Sequence, residues 1–203
     1  MLKKSLLIGL LALVAFSAQA EETDQEAIHE ELRAVLKQTE SAINTGDFDK
    51  MLPVLSEQIR ATPVNQEFLS SRADVSAYFR KWFGPKGYLK KLQISLEPDT
   101  LTELSPDKSW GVVRGKGIEK YILSDSRAYE IHTRWTATMA KESDGRWRIR
   151  SIHIGTDFLN NPILAEAEQA LWIAVTAGLG GGLLLGGIAG WFIGRKKKSQ
   201  VSR

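Results

Sequence analysis

The chain has 203 residues with 27 Lys+Arg, 24 Asp+Glu, no cysteine and a formal net charge of +3. Without cysteine, disulfides, thiolate metal sites, a lipid-modified cysteine and a cysteine nucleophile are excluded. Seven of the cations (Lys3, Lys4, Arg195, Lys196, Lys197, Lys198 and Arg203) sit at the two ends, which leaves 20 against all 24 acids in residues 21–170, a net of −4 that argues against nucleic acid as a partner of the folded part.

Residues 1–20 combine a short basic start, an apolar run from Leu6 to Phe16, and Ala18-Gln19-Ala20 before two acids. This is the pattern of a secretory signal peptide, and its apolar run is short for an uncleaved anchor. Residues 21–158 are expected to form one soluble domain. From Thr23 to Asn44, Ile28, Leu32, Val35, Leu36, Thr39 and Ile43 recur at helical spacing, and Asn44-Thr45-Gly46-Asp47 ends that helix. Phe48 to Leu55 reads as a short helical piece limited by Pro53. Ser71 caps a further helix to Phe83, with Asp74 as the acid of a capping box, and Gly84-Pro85-Lys86-Gly87 breaks it.

The period then falls to two. Leu92, Ile94 and Leu96 alternate with polar residues, and Pro98-Asp99 closes that strand. A second strand starts at Trp110, and its glycines at 111, 115 and 117 suit bulges or bends. Arg127 to Lys141 and Arg146 to Thr156 form a hairpin around Ser143-Asp144-Gly145. Helices followed by an antiparallel meander predict an α+β domain with helices on one face of a bent sheet.

Residues 159–170 read as a juxtamembrane helix or stalk opened by an Asn161 cap and Pro162, with Glu166 and Glu168 near its positive end. Leu171 to Gly194 follows without one formal charge, long enough for a membrane span. Trp172 and Trp191 lie 19 residues apart, roughly 28 Å along a helix, which suits the two lipid boundaries. The basic tail 195–203 places that end in the cytoplasm, so the expected protein is a single-pass inner-membrane protein whose N-terminal domain is periplasmic. Gly178, Gly182, Gly186, Gly190 and Gly194 recur every fourth residue and offer a helix-pairing face, while Gly180, Gly181 and Gly187 lie off it.

The helix end Asn44-Thr45-Gly46-Asp47-Phe48, the helix from Ser71 to Phe83 and the run RWTATMAKESDGRWRIRSIHIG at 134–155 resemble the SnoaL-like branch of the NTF2-like superfamily over residues 23–157. The resemblance implies an NTF2-like cone, a curved antiparallel sheet wrapped around the long first helix, with a pocket at its open end. It also implies isomerases, dehydratases and polyketide cyclases among the relatives, beside modules that only bind or assemble.

If Trp147 and Ile149 face inward, period two puts Ser151, His153 and Gly155 on the same face and sends Arg148 and Arg150 out. His153 then supports the fold or serves as acid/base, with Tyr129 as oxyanion donor and Asp157 as orienting group. Trp82, Trp110 and Trp135 complete the candidate ligand pocket or fill the core, and His132 and Arg134 stand outside. No nucleotide, hydrolase or metal motif occurs, and no cofactor or metal is expected. Three readings of function follow. The first is binding of a small apolar ligand or a protein partner by a bilayer-anchored domain, expected as a homodimer. The second is catalysis through His153, and the third is a non-catalytic assembly scaffold.

Overall fold

The computed structural model describes residues 2–201, with side chains described for residues 23–191. Residues 1–20, expected as a signal peptide, and the basic tail 195–203 therefore lie outside the described side chains, as does Gly194. The chain divides into two compact units, Met1–Asp157 and Phe158–Arg203.

In the first unit, helix α1 (Leu2–Thr45) buries Ile28, Leu32, Val35, Thr39 and Ile43, the stripe that helical spacing predicts. Gly46, at φ 75°, ends it in the left-handed region. A 3-10 turn over Phe48–Val54 follows, then strand β1 (Leu55–Thr62) and helix α2 (Arg72–Phe83). Strands β2 (Leu89–Pro98), β3 (Glu103–Leu104), β4 (Trp110–Leu123), β5 (Ala128–Lys141) and β6 (Trp147–Thr156) complete the sheet. Its order is β1-β6-β5-β4-β2, with β3 paired to β4. This is an α+β cone whose curved sheet packs against α1.

Four expectations are corrected. β1 was not foreseen, because its pattern has no clean alternation, and it pairs parallel to β6, so the sheet is not a pure antiparallel meander. The glycines of β4 make no bulge, since β4 stays in register with β5 from Trp110 to Ile122. Gly115 instead gives room to Trp135: a Cβ there would stand 2.4 Å from both the indole Cζ2 and the Glu97 carbonyl oxygen. The capping box of α2 is displaced by one residue. Ser71 Oγ accepts from the Asp74 N–H at 3.1 Å, but the Asp74 carboxylate accepts from Ser70 N at 2.9 Å and Ser70 Oγ at 2.8 Å.

The fourth correction matters most for the site. Met139 pairs with Ile149, but the adjacent Thr138 pairs with Ser151, so Arg150 is an extra residue in β6. An odd insertion inverts the alternation beyond it. Ile152 and Ile154 turn inward and His153 turns out.

Among the described residues no strand pairs with the free side of the edge strand β2, and α1 covers it. Asn44 exchanges two hydrogen bonds with the Ile94 backbone, at 2.9 and 2.6 Å, and Glu40 accepts from the Leu96 N–H at 2.6 Å. These bonds occupy backbone groups that would otherwise recruit another strand.

The second unit is helix α3 (Pro162–Val201). Asn161 Oδ1 accepts from the Leu164 N–H at 3.0 Å, so the cap and the proline sit as predicted. Glu166 and Glu168 lie beyond its first turn. Its stretch Pro162–Trp191 is long and apolar enough to cross a membrane, and none of it is buried within the chain.

Candidate functional site

Strand alternation sets the inner wall of the cone. On β5, Ile131, Thr133, Trp135, Ala137 and Met139 point inward, the face that sequence period assigns. On β4, the inward residues are Gly111, Val113, Gly115, Gly117, Glu119, Tyr121 and Leu123. The ladder pairs Gly115 with Trp135 and Gly117 with Thr133, so each small residue faces a larger one. One carboxylate, Glu119, is thereby placed inside the cone, where it is 4% exposed.

Glu119 accepts a short hydrogen bond from the Tyr121 hydroxyl. Burial pushes its carboxyl above the ordinary value of 4.5, and the Tyr121 bond and the nearby Thr133 hydroxyl only partly oppose this. The Thr133 hydroxyl favours the ionised carboxylate but makes no hydrogen bond of normal geometry. Burial, then the charge of Glu119, holds the Tyr121 hydroxyl well above its ordinary range. Tyr78 of α2 is raised for the same first reason, with the charges of Glu67 and Glu119 adding to it. Both tyrosines are thus neutral donors at any physiological pH. The Tyr78 hydroxyl has no hydrogen-bond partner among the described residues and remains open to a ligand.

These three groups line a cavity of about 130 Å³ whose other walls are apolar, among them Ile59, Val75, Phe79, Phe83, Leu92 and Trp135. Phe79 stacks on Phe48 with ring centroids 4.2 Å apart and fixes the α2 wall. A second cavity of about 410 Å³ lies along the C-terminal half of α1, lined by His29, Leu36, Val113 and Met139 among others. The two share Thr39, Leu96, Trp135, Ile149 and Ile152.

Of the residues chosen from sequence, Trp135 lines both of these cavities and the others line neither, and the Trp135 indole N–H is satisfied by the Lys116 carbonyl at 3.0 Å. His153 is exposed on the outer face opposite Thr136, the result of the bulge at Arg150. Ser151 is half-buried outside both cavities, and Asp157 is exposed beyond β6. Tyr129 pairs with Tyr121 along the ladder, but its hydroxyl accepts from Arg127 at 2.9 Å near the end of the sheet. Trp82 donates to Glu67 at 2.8 Å, and Trp110 is 49% exposed on the outer face. Arg148, expected outside, is buried and donates to Asp144 at 2.8 and 2.6 Å and to the Pro53 carbonyl at 3.1 Å. His132 and Arg134 stand outside as expected, and Arg134 grips Asp99 with two bonds. Among the described residues no cluster of side chains is arranged to hold a metal ion.

The site missed by sequence reasoning is Glu119 with Tyr121 and Tyr78. A signal was present: Gly115-x-Gly117-x-Glu119-x-Tyr121 shares one parity, and the large Trp135 opposite needs a glycine partner. It was masked because the outer face of β4 is itself rich in apolar residues, Trp110, Val112, Ile118 and Ile122.

The SnoaL-like domain family model matches residues 32–155, which is more than half of the chain. No curated protein sequence matches it. Among solved structures, a candidate scytalone dehydratase from Novosphingobium aromaticivorans DSM 12444 superposes with a TM-score of 0.57 at 9% identity, covering 67% of this chain and 89% of its own. A candidate calcium/calmodulin-dependent protein kinase II association domain from Xanthomonas campestris gives 0.53 at 20% identity, covering 63% and 86%. A ketosteroid isomerase-like protein from Erwinia carotovora atroseptica SCRI1043 gives 0.52 at 9%, covering 61% and 92%. At these identities the likeness shows the cone and not its chemistry. The chain belongs to the SnoaL-like domain family, with one apolar C-terminal helix added to the family's fold.

Proposed function

We propose that this protein is a bilayer-anchored module whose cone stands outside the cytoplasm and binds a small, mainly apolar molecule, with its polar group held at Glu119, Tyr121 and Tyr78. The observation that carries the reading is a buried carboxylate and an unpartnered tyrosine hydroxyl on the wall of an otherwise apolar cavity. The apolar stretch Pro162–Trp191 supports anchoring, and the signal-like start with the basic tail supports the orientation. The module is dimeric in this reading. Ile118 and Ile122 on the outer sheet face, 37% and 36% exposed, and the face formed by Gly178, Gly182, Gly186, Gly190 and Gly194 supply its contacts. In the chain alone a Cβ at Gly178, Gly182, Gly186 or Gly190 meets nothing, but the same holds for Gly180, Gly181 and Gly187, so spacing alone selects the face.

Native mass spectrometry of the full chain extracted in mild detergent tests the binding. A small molecule retained by the wild type and lost in Tyr78→Phe supports the reading, and retention unaffected by Tyr78→Phe counts against it.

A second reading, proton-transfer catalysis of the isomerase or dehydratase kind, is favoured by the raised Glu119 carboxyl beside neutral tyrosine donors. Glu119 rather than His153 would take the proton. Exchange of a ligand hydrogen with deuterated water in the wild type and not in Glu119→Gln would separate catalysis from binding.

A further inference from the structure

The larger cavity carries a site of its own. His29, on α1, is 8% exposed and lines the wall of the 410 Å³ space, yet its ring makes no hydrogen bond or ion pair among the described residues. With no protein partner, the hydrogen bond of this imidazole is left for water or a ligand in the cavity to supply. The volume lies within the range of small-molecule pockets and is about three times that of the cavity at Glu119. Around His29 the walls are Leu32, Leu36, Val113, Ala137 and Met139, side chains that offer a ligand only apolar contact.

Charge decides the class of occupant. No acidic side chain lines the space, so an organic cation would meet no counter-ion. Arg33 stands on its wall, but its Nη2 is already paired with Glu26 at 2.6 Å and Glu30 at 2.8 Å, so its charge is balanced by two carboxylates before an anion arrives. An ionic head would be desolvated without compensation. We infer that this cavity is a second ligand site, which takes a neutral, mainly apolar molecule with one hydroxyl or carbonyl group directed at His29. It stands independently of the Glu119 reading, because the anchoring group is His29 here and Glu119, Tyr121 and Tyr78 there, and none of these lines both cavities.

Two of the three methionines make the test selective, since Met139 lines this cavity and Met51 lines the one at Glu119. The full chain, labelled with ¹³C at the methionine methyls and purified in detergent, is titrated with 1-decanol, decane and decanoate. Each probe is compared between wild type and variant, so that its partition into detergent cancels. The expected result is a saturable shift of the Met139 methyl with 1-decanol while Met51 stays in place. His29→Phe should weaken 1-decanol about tenfold, the ratio expected on losing one hydrogen bond, and leave decane unchanged. Decanoate should bind more weakly than 1-decanol. Val113→Phe, which fills the space and leaves His29 intact, should abolish the Met139 shift, and an unmoved Met51 resonance in either variant reports an intact interior. Four results overturn the inference: no saturable Met139 shift, equal shifts of Met51 and Met139, 1-decanol bound equally by His29→Phe, or decanoate bound as tightly as 1-decanol.

Discussion

The two faces of the β4–β5–β6 sheet use the same residue types to opposite ends. On the inner face, Glu119 and Tyr121 are enclosed by Trp135 and Ile131, so burial raises the carboxyl and keeps the tyrosine neutral. On the outer face, His132 lies 3.5 Å from Glu130, Arg134 holds Asp99, and His153 stands in solvent. The paired outer carboxylates shift the other way. Arg134 lowers Asp99 and Lys120 lowers Glu130, chiefly through hydrogen bonds. Which face a titratable residue occupies, more than its identity, decides what chemistry it can support.

Removing the inner face's largest anchor breaks the contrast most severely. Trp135→Ala deletes a side chain that touches both cavities, and it should destabilise the domain by about 3–5 kcal/mol in urea denaturation of the full chain followed by circular dichroism. Gly115→Val attacks the same contact from β4. Its new Cβ would meet the Trp135 indole and the Glu97 backbone at 2.4 Å, so a loss of about 1–3 kcal/mol is expected in the same assay.

Glu119→Gln sharpens the contrast through pH. The folded carboxyl is raised above the unfolded value, so the folded state binds the proton more tightly, and its stabilising contribution is complete below about pH 4.5. That contribution is lost as pH rises through the raised value. The difference in stability, wild type minus Glu119→Gln, should therefore fall as pH increases from about 4.5 and level off once the carboxylate is ionised. Outer carboxylates such as Asp99 are lowered and act in the opposite sense, losing stability as pH falls, but they contribute equally to both proteins and cancel in the difference. The smallest effect belongs to the outer face: His153→Ala should change stability by no more than about 0.5 kcal/mol by urea denaturation.

Much of the cone was legible because burial and period coincide. The α1 stripe, the capped helix Arg72–Phe83, the inward face of β5 and the Asp144-Gly145 hairpin all follow from spacing and turn chemistry. Gly145 takes φ 77°, which its place in that turn requires. The site was less legible because two local facts override the period. The extra residue at Arg150 inverts β6, so extrapolating from Trp147 and Ile149 put His153 on the wrong face. On β4 the apolar residues cluster on the exterior, so hydrophobicity pointed away from Glu119. β1 was hidden for a related reason. It is an outer strand with a register shift against β6, and its polar Ser56, Glu57 and Gln58 blur any alternation.

The central claim is that the working chemistry of the cone lies on its inner face at Glu119, with His153 outside it. The most direct measurement is the amount of small molecule retained per chain by the detergent-purified wild type, Glu119→Gln and His153→Ala, read by mass spectrometry. The prediction is equal retention in wild type and His153→Ala and a loss of roughly tenfold in Glu119→Gln, the expectation for one charge-assisted hydrogen bond. Retention lost in His153→Ala and kept in Glu119→Gln, or a wild-type chain that retains nothing, would contradict it.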